Sequence, residues 1–265
     1  MNMQAFFQLH RDLPREGPGS DDATLEAIRR LPPLPSSVRV LDIGCGPGRQ
    51  TLVLARALNV PIVAIDVHEP YLEQLRQAAR TAGLADRITA RRAAMETLDD
   101  APGSVDLIWA EGSICMVGFA AGLRLWRPLL REGGLIVASE LTWLSDNPPA
   151  EAREYWRQAY PPMTTIAANI NHAAAAGYDV LHHFILPRYG WWDEYLSPLA
   201  ERAGHLRREV ASNEGAVDHA DLIRVLDETE REIDICRRHG HYFNYVFYLL
   251  RKAGAPATEG ATHAS

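Results

Sequence analysis

The sequence predicts an α/β chain. A mostly parallel sheet of seven strands carries helices on both faces, with helical insertions capping one end. Three observations carry this reading. A β-branched run, Val38 to Ile43, leads through glycines at 44, 46 and 48 into an amphipathic stretch, Arg49 to Leu58. Short apolar runs then alternate with helical stretches as far as Leu141. Beyond that point, residues 142–178 and 191–239 are aromatic-rich and largely helical, with one further strand between them and one after.

In chain order, Phe6, Phe7 and Leu9 are packing anchors in a short mixed opening. Gly17-Pro18-Gly19 is a turn, and Ser20 is placed to cap a helix running to about Arg30, with Asp21 and Asp22 in its first turn. Two readings stay open for residues 15–20. Local physics favours a simple capped helix; the alternative is a lid in which Arg15 meets a carboxylate. The first strand and glycine turn follow, where the backbone must approach a ligand or turn sharply. Pro61 to Ile65 is the second strand, ended by Asp66, an acid about 20 residues past the glycine loop and so positioned for ribose hydroxyls. The next helix starts near Glu69 and stops at Gly83. Ile88 to Arg92 and Val105 to Ala110 are the third and fourth strands. A helix from Phe119 to Leu130 turns at Gly133-Gly134 into the fifth strand, Leu135 to Leu141. Thr164 to Ala176 is helical, Asp179 to Leu186 is the sixth strand, and a long helical stretch runs from Trp191 to about Arg238 with a break near Asn213 to Gly215. His241 to Leu250 is the last strand. Residues 1–252 form one domain, and 253–265 read as a disordered tail.

Composition narrows the function. With 265 residues, 47% hydrophobic and 23% charged, the chain has an ordinary globular balance. A formal charge of −7 argues against broad binding to a phosphate backbone. Lys252 is the sole lysine, so nearly all basic charge is arginine. Cys45, Cys115 and Cys236 have the spacing of neither a metal site nor a disulfide framework, which points to buried thiols in a reducing cytoplasm. No basic and apolar leader opens the sequence, and no apolar run reaches the length of a membrane span. His172, His182, His183, His239 and His241 show no helix-face pairing with a carboxylate, so no metal is expected.

Asp42-x-Gly44-x-Gly46-x-Gly48 resembles motif I of the class I S-adenosylmethionine-dependent methyltransferases. The resemblance covers residues 38–141 as the cofactor-binding half. It is narrowed by Arg15-x-Gly17-Pro18-Gly19-Ser20, Trp109-Ala110-Glu111-Gly112-Ser113, Ser139-Glu140-x-x-Trp143 and Tyr160-Pro161, which look like a bacterial subfamily of small-molecule methyltransferases. It implies a Rossmann-like sheet with an antiparallel last strand beside the sixth, and S-adenosyl-L-methionine as cofactor. It also implies cofactor contacts from Arg15, Gly17, Asp42, Gly44, Cys45, Gly46, Gly48, Asp66, Val67, Ala94, Met95 and Glu111. Ala94 departs from the pattern, in which an acid meets the adenine amino group, and leaves adenine to backbone groups and to Met95. The expected activity is methyl transfer to a small-molecule acceptor. The alternative is a non-catalytic regulatory protein that binds S-adenosylmethionine or S-adenosylhomocysteine. A nicotinamide-dependent oxidoreductase is disfavoured by the glycine spacing.

Aromatic residues Trp143, Tyr160, Trp191, Trp192 and Tyr195 could wall an acceptor pocket, suiting a planar or cationic molecule. Glu140 is the first candidate for an acceptor-orienting acid or base, Glu111 the second and Tyr160 the third. Nucleic acid is not expected as substrate, because the Asn/Asp-Pro-Pro-aromatic motif of DNA amino-methylating enzymes is replaced by Ala110-Glu111-Gly112-Ser113. The sequence leaves the acceptor atom and the oligomeric state open.

Overall fold

The computed structural model describes residues 3–212 and 219–254. The parallel strands are β1 (Val40–Ile43), β2 (Ile62–Asp66), β3 (Ile88–Arg92), β4 (Val105–Ala110) and β5 (Leu130–Trp143). Two residues, Thr164–Thr165, add β6 beside the end of β5. β7 (Tyr178–Ile185) and β8 (Phe243–Lys252) complete the sheet in the order β3-β2-β1-β4-β5-β8-β7. β8 runs antiparallel to both β5 and β7. The reversal of strand order between β1 and β4 opens a crevice at the strands' C-terminal ends, where α/β sheets bind ligands.

The helices are α1 (Met3–Leu9), α2 (Asp21–Arg29), α3 (Arg49–Leu58), α4 (Glu69–Thr81), α5 (Phe119–Trp126), α6 (Ala150–Ala159), α7 (Ile166–Ala175), α8 (Arg188–Trp191), α9 (Ser197–Ser212) and α10 (Ala220–His239). Alternation along the strands builds two cores. Val40, Leu107, Trp109 and Phe247 pack to one side with α2, α3 and the cap; Leu41, Ile43, Ile108, Trp126 and Tyr248 pack to the other. Leu9 and Leu13 join Leu199, Leu206, Leu222 and Leu226 in a third cluster, which fastens the chain's opening to α9 and α10.

Several expectations are corrected. The fifth strand starts at Leu130, not Leu135, and includes Gly133 and Gly134, with its register against β4 shifting between Val105 and Leu107. The preceding α-helix ends at Trp126, because Pro128 has no N–H to continue it, and a 3-10 turn spans Arg127–Leu129. Thr165 is a helix cap rather than a helical residue: its side chain accepts from the Ala168 N–H. The cap's second helical stretch begins at Arg188 and passes through a π-helical turn, Trp192–Leu196. With Thr164–Thr165 included, the sheet has eight strands rather than seven. The Ala253 N–H is held by the Gly177 carbonyl at 3.0 Å, so order continues past residue 252. The break near residues 213–215 and the tail from 255 lie outside the described residues.

Candidate functional site

The glycine loop is held from both sides. The N–H groups of Gly44 and Cys45 both donate to the Ile65 carbonyl, at 2.8 and 2.9 Å, tying the loop to β2. Gly44 and Gly48 have φ of +71° and +87°. A Cβ on Gly44 would stand 2.4 Å from the Ser113 Cβ, and one on Gly48 2.2 Å from Leu75 Cδ1, so neither position admits a side chain. Behind the loop lies Asp42, fully buried. It accepts from Thr51 Oγ1 at 2.6 Å and from Gln50 Nε2 at 3.3 Å, and Gln50 also donates to the Cys45 carbonyl at 3.0 Å. Burial pushes the Asp42 carboxyl up to about 7 against the Thr51 bond. Asp42 therefore clamps the loop to α3 and does not line the cleft, in contrast to the direct contact expected of it.

Asp66 stands at the end of β2. Its Oδ2 accepts from the Gly46 N–H and its Oδ1 from the His68 N–H, each at 2.9 Å. Each oxygen retains a further lone pair for a hydroxyl. Val67, next in sequence, is 54% exposed, an uncovered apolar side chain beside that carboxylate. Of the backbone groups expected to serve an adenine, the Met95 carbonyl accepts from Trp126 Nε1 at 2.9 Å and the Ala94 carbonyl from the Thr97 N–H at 3.1 Å, each keeping a second lone pair. The Met95 methyl group lies 3.4 Å from the Cβ position of Gly44, so its side chain reaches the loop.

The segment before α2 crosses this loop. A cleft with about 410 Å3 of open space is lined by Arg15, Glu16, Gly17 and Pro18 on one side and by Gly44 to Pro47, Arg49 and Gln50 on the other, with Glu111 and Gly112 at its floor. Ser20 caps α2 through the Ala23 N–H at 3.1 Å, so the two readings of residues 15–20 coexist: a capped helix preceded by a strap over the loop. Arg15 is buried. Its guanidinium meets Asp21 at 2.7 Å and Glu111 at 3.3 Å, and its Nε makes no hydrogen bond but stands 4.0 Å from Glu194 Oε2. Glu111 also accepts from Thr24 Oγ1 at 2.9 Å and Trp109 Nε1 at 3.1 Å. Burial raises its pKa, opposed mainly by Arg15. Oε2 takes both Thr24 and Trp109 while Oε1 takes Arg15, so Glu111 anchors the strap and α2 to the sheet.

Glu140 and Tyr160, read separately from the sequence, are brought together. The Tyr160 hydroxyl donates to Glu140 Oε1 at 2.6 Å. Glu140 Oε2 is buried with no partner. Burial pushes this carboxyl up to about 8, the Tyr160 bond opposing it. Behind it, Thr142 Oγ1 donates to the Glu140 carbonyl at 2.9 Å, and Asn169 donates to Thr142 Oγ1 and to the Tyr248 hydroxyl, both at 3.2 Å. Sequence reasoning missed this buried network; the signal was polar Thr142 and Asn169 in otherwise apolar surroundings. It also missed Glu16, which accepts from the Tyr71 hydroxyl at 2.5 Å and is pushed up to about 7 by burial. Of the aromatic candidates, Trp143 and Trp191 pack edge-on to Phe243, each with ring centroids at 5.7 Å, and so belong to the cap's core. Among the described residues no group of three or more His, Cys, Asp or Glu side chains could hold a metal ion, and no helix is long and apolar enough to cross a membrane.

A strand-order crevice, a glycine loop that excludes side chains and an acid ending the second strand define a nucleotide-type cofactor site on an α/β sheet. Residues 40–134 match the methyltransferase domain family. A dimethylglycine N-methyltransferase of Parasynechococcus marenigrum is 32% identical over 123 residues, 46% of this chain. That match spans 44% of the relative's length, so the chain covers less than half of it. An S-adenosylmethionine-dependent methyltransferase from Geobacter sulfurreducens, solved with S-adenosyl-L-homocysteine, superposes with a TM-score of 0.74 at 22% identity, covering 93% of this chain and 97% of that one. The [4+2]-cyclase SpnF superposes with a TM-score of 0.73 at 18% identity, covering 96% and 94% of the two chains. At such identities the likeness is one of fold, and that fold hosts more than one chemistry.

Proposed function

We propose that the chain transfers a methyl group from S-adenosylmethionine to a small acceptor, aromatic or cationic in character, seated over the C-terminal ends of β4 and β5. The observation that carries the reading is the Glu140–Tyr160 pair: a buried carboxyl with one unpartnered oxygen, two strands along the sheet from the glycine loop.

The residues suit the cofactor. Gly44 and Gly48 keep the loop bare, Asp66 has lone pairs for two ribose hydroxyls, and Val67 and Met95 offer apolar surface to an adenine ring. Arg15 offers a carboxylate an Nε–H that makes no hydrogen bond, with Glu194 at 4.0 Å as its present ion-pair partner. When bound, the sulfonium supplies a methyl group for in-line displacement, losing its positive charge as the acceptor bonds to carbon. The chain's tasks are then to align, to exclude water and to manage one proton. Glu140 accepts that proton from the acceptor's nucleophilic atom, and Tyr160 fixes the carboxylate's orientation. Glu111 serves as an anchor rather than a base. The acceptor is a small molecule rather than a nucleic acid, in keeping with the charge of −7, and three unpaired cysteines fit a cytoplasmic setting.

The test is calorimetric titration with S-adenosylmethionine, S-adenosylhomocysteine and NADH, followed by radiolabelled methyl transfer to a panel of amines and phenols. Micromolar binding of both sulfur compounds, weakened at least tenfold in Asp66→Ala, is expected. Binding of NADH alone overturns the reading. Tight S-adenosylhomocysteine binding with transfer to no acceptor favours a regulatory protein.

A further inference from the structure

A chamber of about 1220 Å3, open to solvent, lies in the cap between α1, α6, α9 and α10. Phe6, Tyr155, Trp156 and Tyr195 give it aromatic walls, and Glu232 projects into it from α10. Glu232 has no hydrogen bond and no ion pair among the described residues. A carboxylate held in an aromatic chamber without a counter-charge is costly, and burial raises this one to about 7. A partner that returned a positive charge would offset that cost.

The other ionisable groups around the chamber leave the role to Glu232. His10 bonds to the Phe6 carbonyl at 3.0 Å and to the Tyr195 hydroxyl at 3.3 Å, and burial lowers it to about 4, so it is neutral at pH 7. Arg231, which also lines the chamber, lies 5.5 Å over the Tyr155 ring, and the exposed Glu228 lines it as well. Ala159 lines it, and the next residue, Tyr160, holds Glu140. Tyr245 feels the charge of both Glu140 and Glu232.

We infer that this chamber receives a cationic alkylammonium group of the acceptor, with Glu232 as counter-ion and Tyr155, Trp156 and Tyr195 as the aromatic walls that favour a cation over a neutral isostere. Glu232 is thus a specificity-determining residue set apart from Glu140. Calling the ligand an acceptor rests on the methyltransferase reading; the preference for positive charge does not.

The experiment uses the full chain at pH 8. Choline is titrated as the cationic probe and 3,3-dimethylbutan-1-ol as its neutral isostere, by proton NMR, against wild type, Glu232→Gln and the rim control Glu228→Gln. S-adenosylhomocysteine affinity is measured on each protein. Choline is expected to bind wild type at least tenfold more tightly than the isostere, to weaken at least tenfold in Glu232→Gln and to hold within twofold in Glu228→Gln. S-adenosylhomocysteine affinity should be equal in all three, showing that the substituted proteins are folded. Equal binding of choline and the isostere, equal choline binding in Glu232→Gln, or no choline binding to wild type overturns the inference. Loss of S-adenosylhomocysteine binding in wild type would strike the cofactor reading instead and leave the charge preference to be judged on choline alone.

Discussion

Glu140 keeps one oxygen bonded to Tyr160 and the other bare, so its charge state answers to little besides burial. As a base it acts only when ionised, and its pKa of about 8 places that above neutrality. The rate of methyl transfer should therefore climb with pH and level off above about 8. Glu140→Gln should lower kcat/KM by about 100-fold and flatten that profile, with S-adenosylhomocysteine affinity unchanged. Steady-state kinetics from pH 6 to 9.5, alongside calorimetry, checks both. A second residue-scale expectation concerns Gly48, where a methyl group would stand 2.2 Å from Leu75 Cδ1 at φ +87°. Gly48→Ala should cost about 2–4 kcal/mol in urea unfolding, from overpacking and backbone strain together. Glu140 stood out in the sequence as a lone acid in an apolar strand, and the structure buries it three residues before the strand's end at Trp143. Asp42 was misread, since its partner Thr51 lies nine residues on. Only the turn set by the glycines decides whether that carboxylate faces the loop's front or its back.

Among the elements, α3 and the loop before it act as one piece. Asp42 receives the Thr51 hydroxyl at 2.6 Å, and Gln50 joins Asp42 to the Cys45 carbonyl. Thr51→Val keeps the shape and removes the donor, leaving a buried carboxyl short of a bond. Unfolding free energy should fall by about 1–3 kcal/mol, and S-adenosylhomocysteine should bind more weakly as the loop loosens. Denaturant melts and calorimetry on the same preparation separate the two effects. The strands and helices from Asp21 to Trp126 were legible almost to their ends, because apolar period and glycine stops coincide there, whereas the helix Met3–Leu9 was read only as a short mixed opening. The cap was less so. The π-helical turn Trp192–Leu196 has no sequence sign that distinguishes it from α-helix, and Thr164–Thr165 is a strand only because Thr142 and Trp143 lie alongside. The chamber at Glu232 was not legible at all, since α1, α6 and the consecutive pair α9 and α10 lie apart in sequence and meet only through packing.

For the molecule as a whole, five carboxyls among the described residues are raised by burial: Asp42, Glu16 and Glu232 to about 7, Glu140 to about 8, and Glu111 in the same direction. In the unfolded chain such groups release their protons near pH 4. Their contribution to stability is complete below that value and is lost as pH rises through 7 to 8, because only the unfolded state gives up the proton readily in between. Glu151, lowered to about 2 by its bonds to Arg238 and His239, acts only at far more acid pH and leaves this window alone. The Tm should therefore fall between pH 5.5 and 8.5, and Glu140→Gln should reduce the fall; calorimetric scans across that range decide it. The place of β8 carries a different consequence. Ribosomes deliver this chain from its N-terminus, yet the strand wedged between β5 and β7 is made after both of them. Until it emerges, β5 has an unpaired edge along Leu135 to Trp143, and β7 has no sheet to join. A nascent chain of this design stays half-assembled until β8 follows, and that interval is when a chaperone would matter to it.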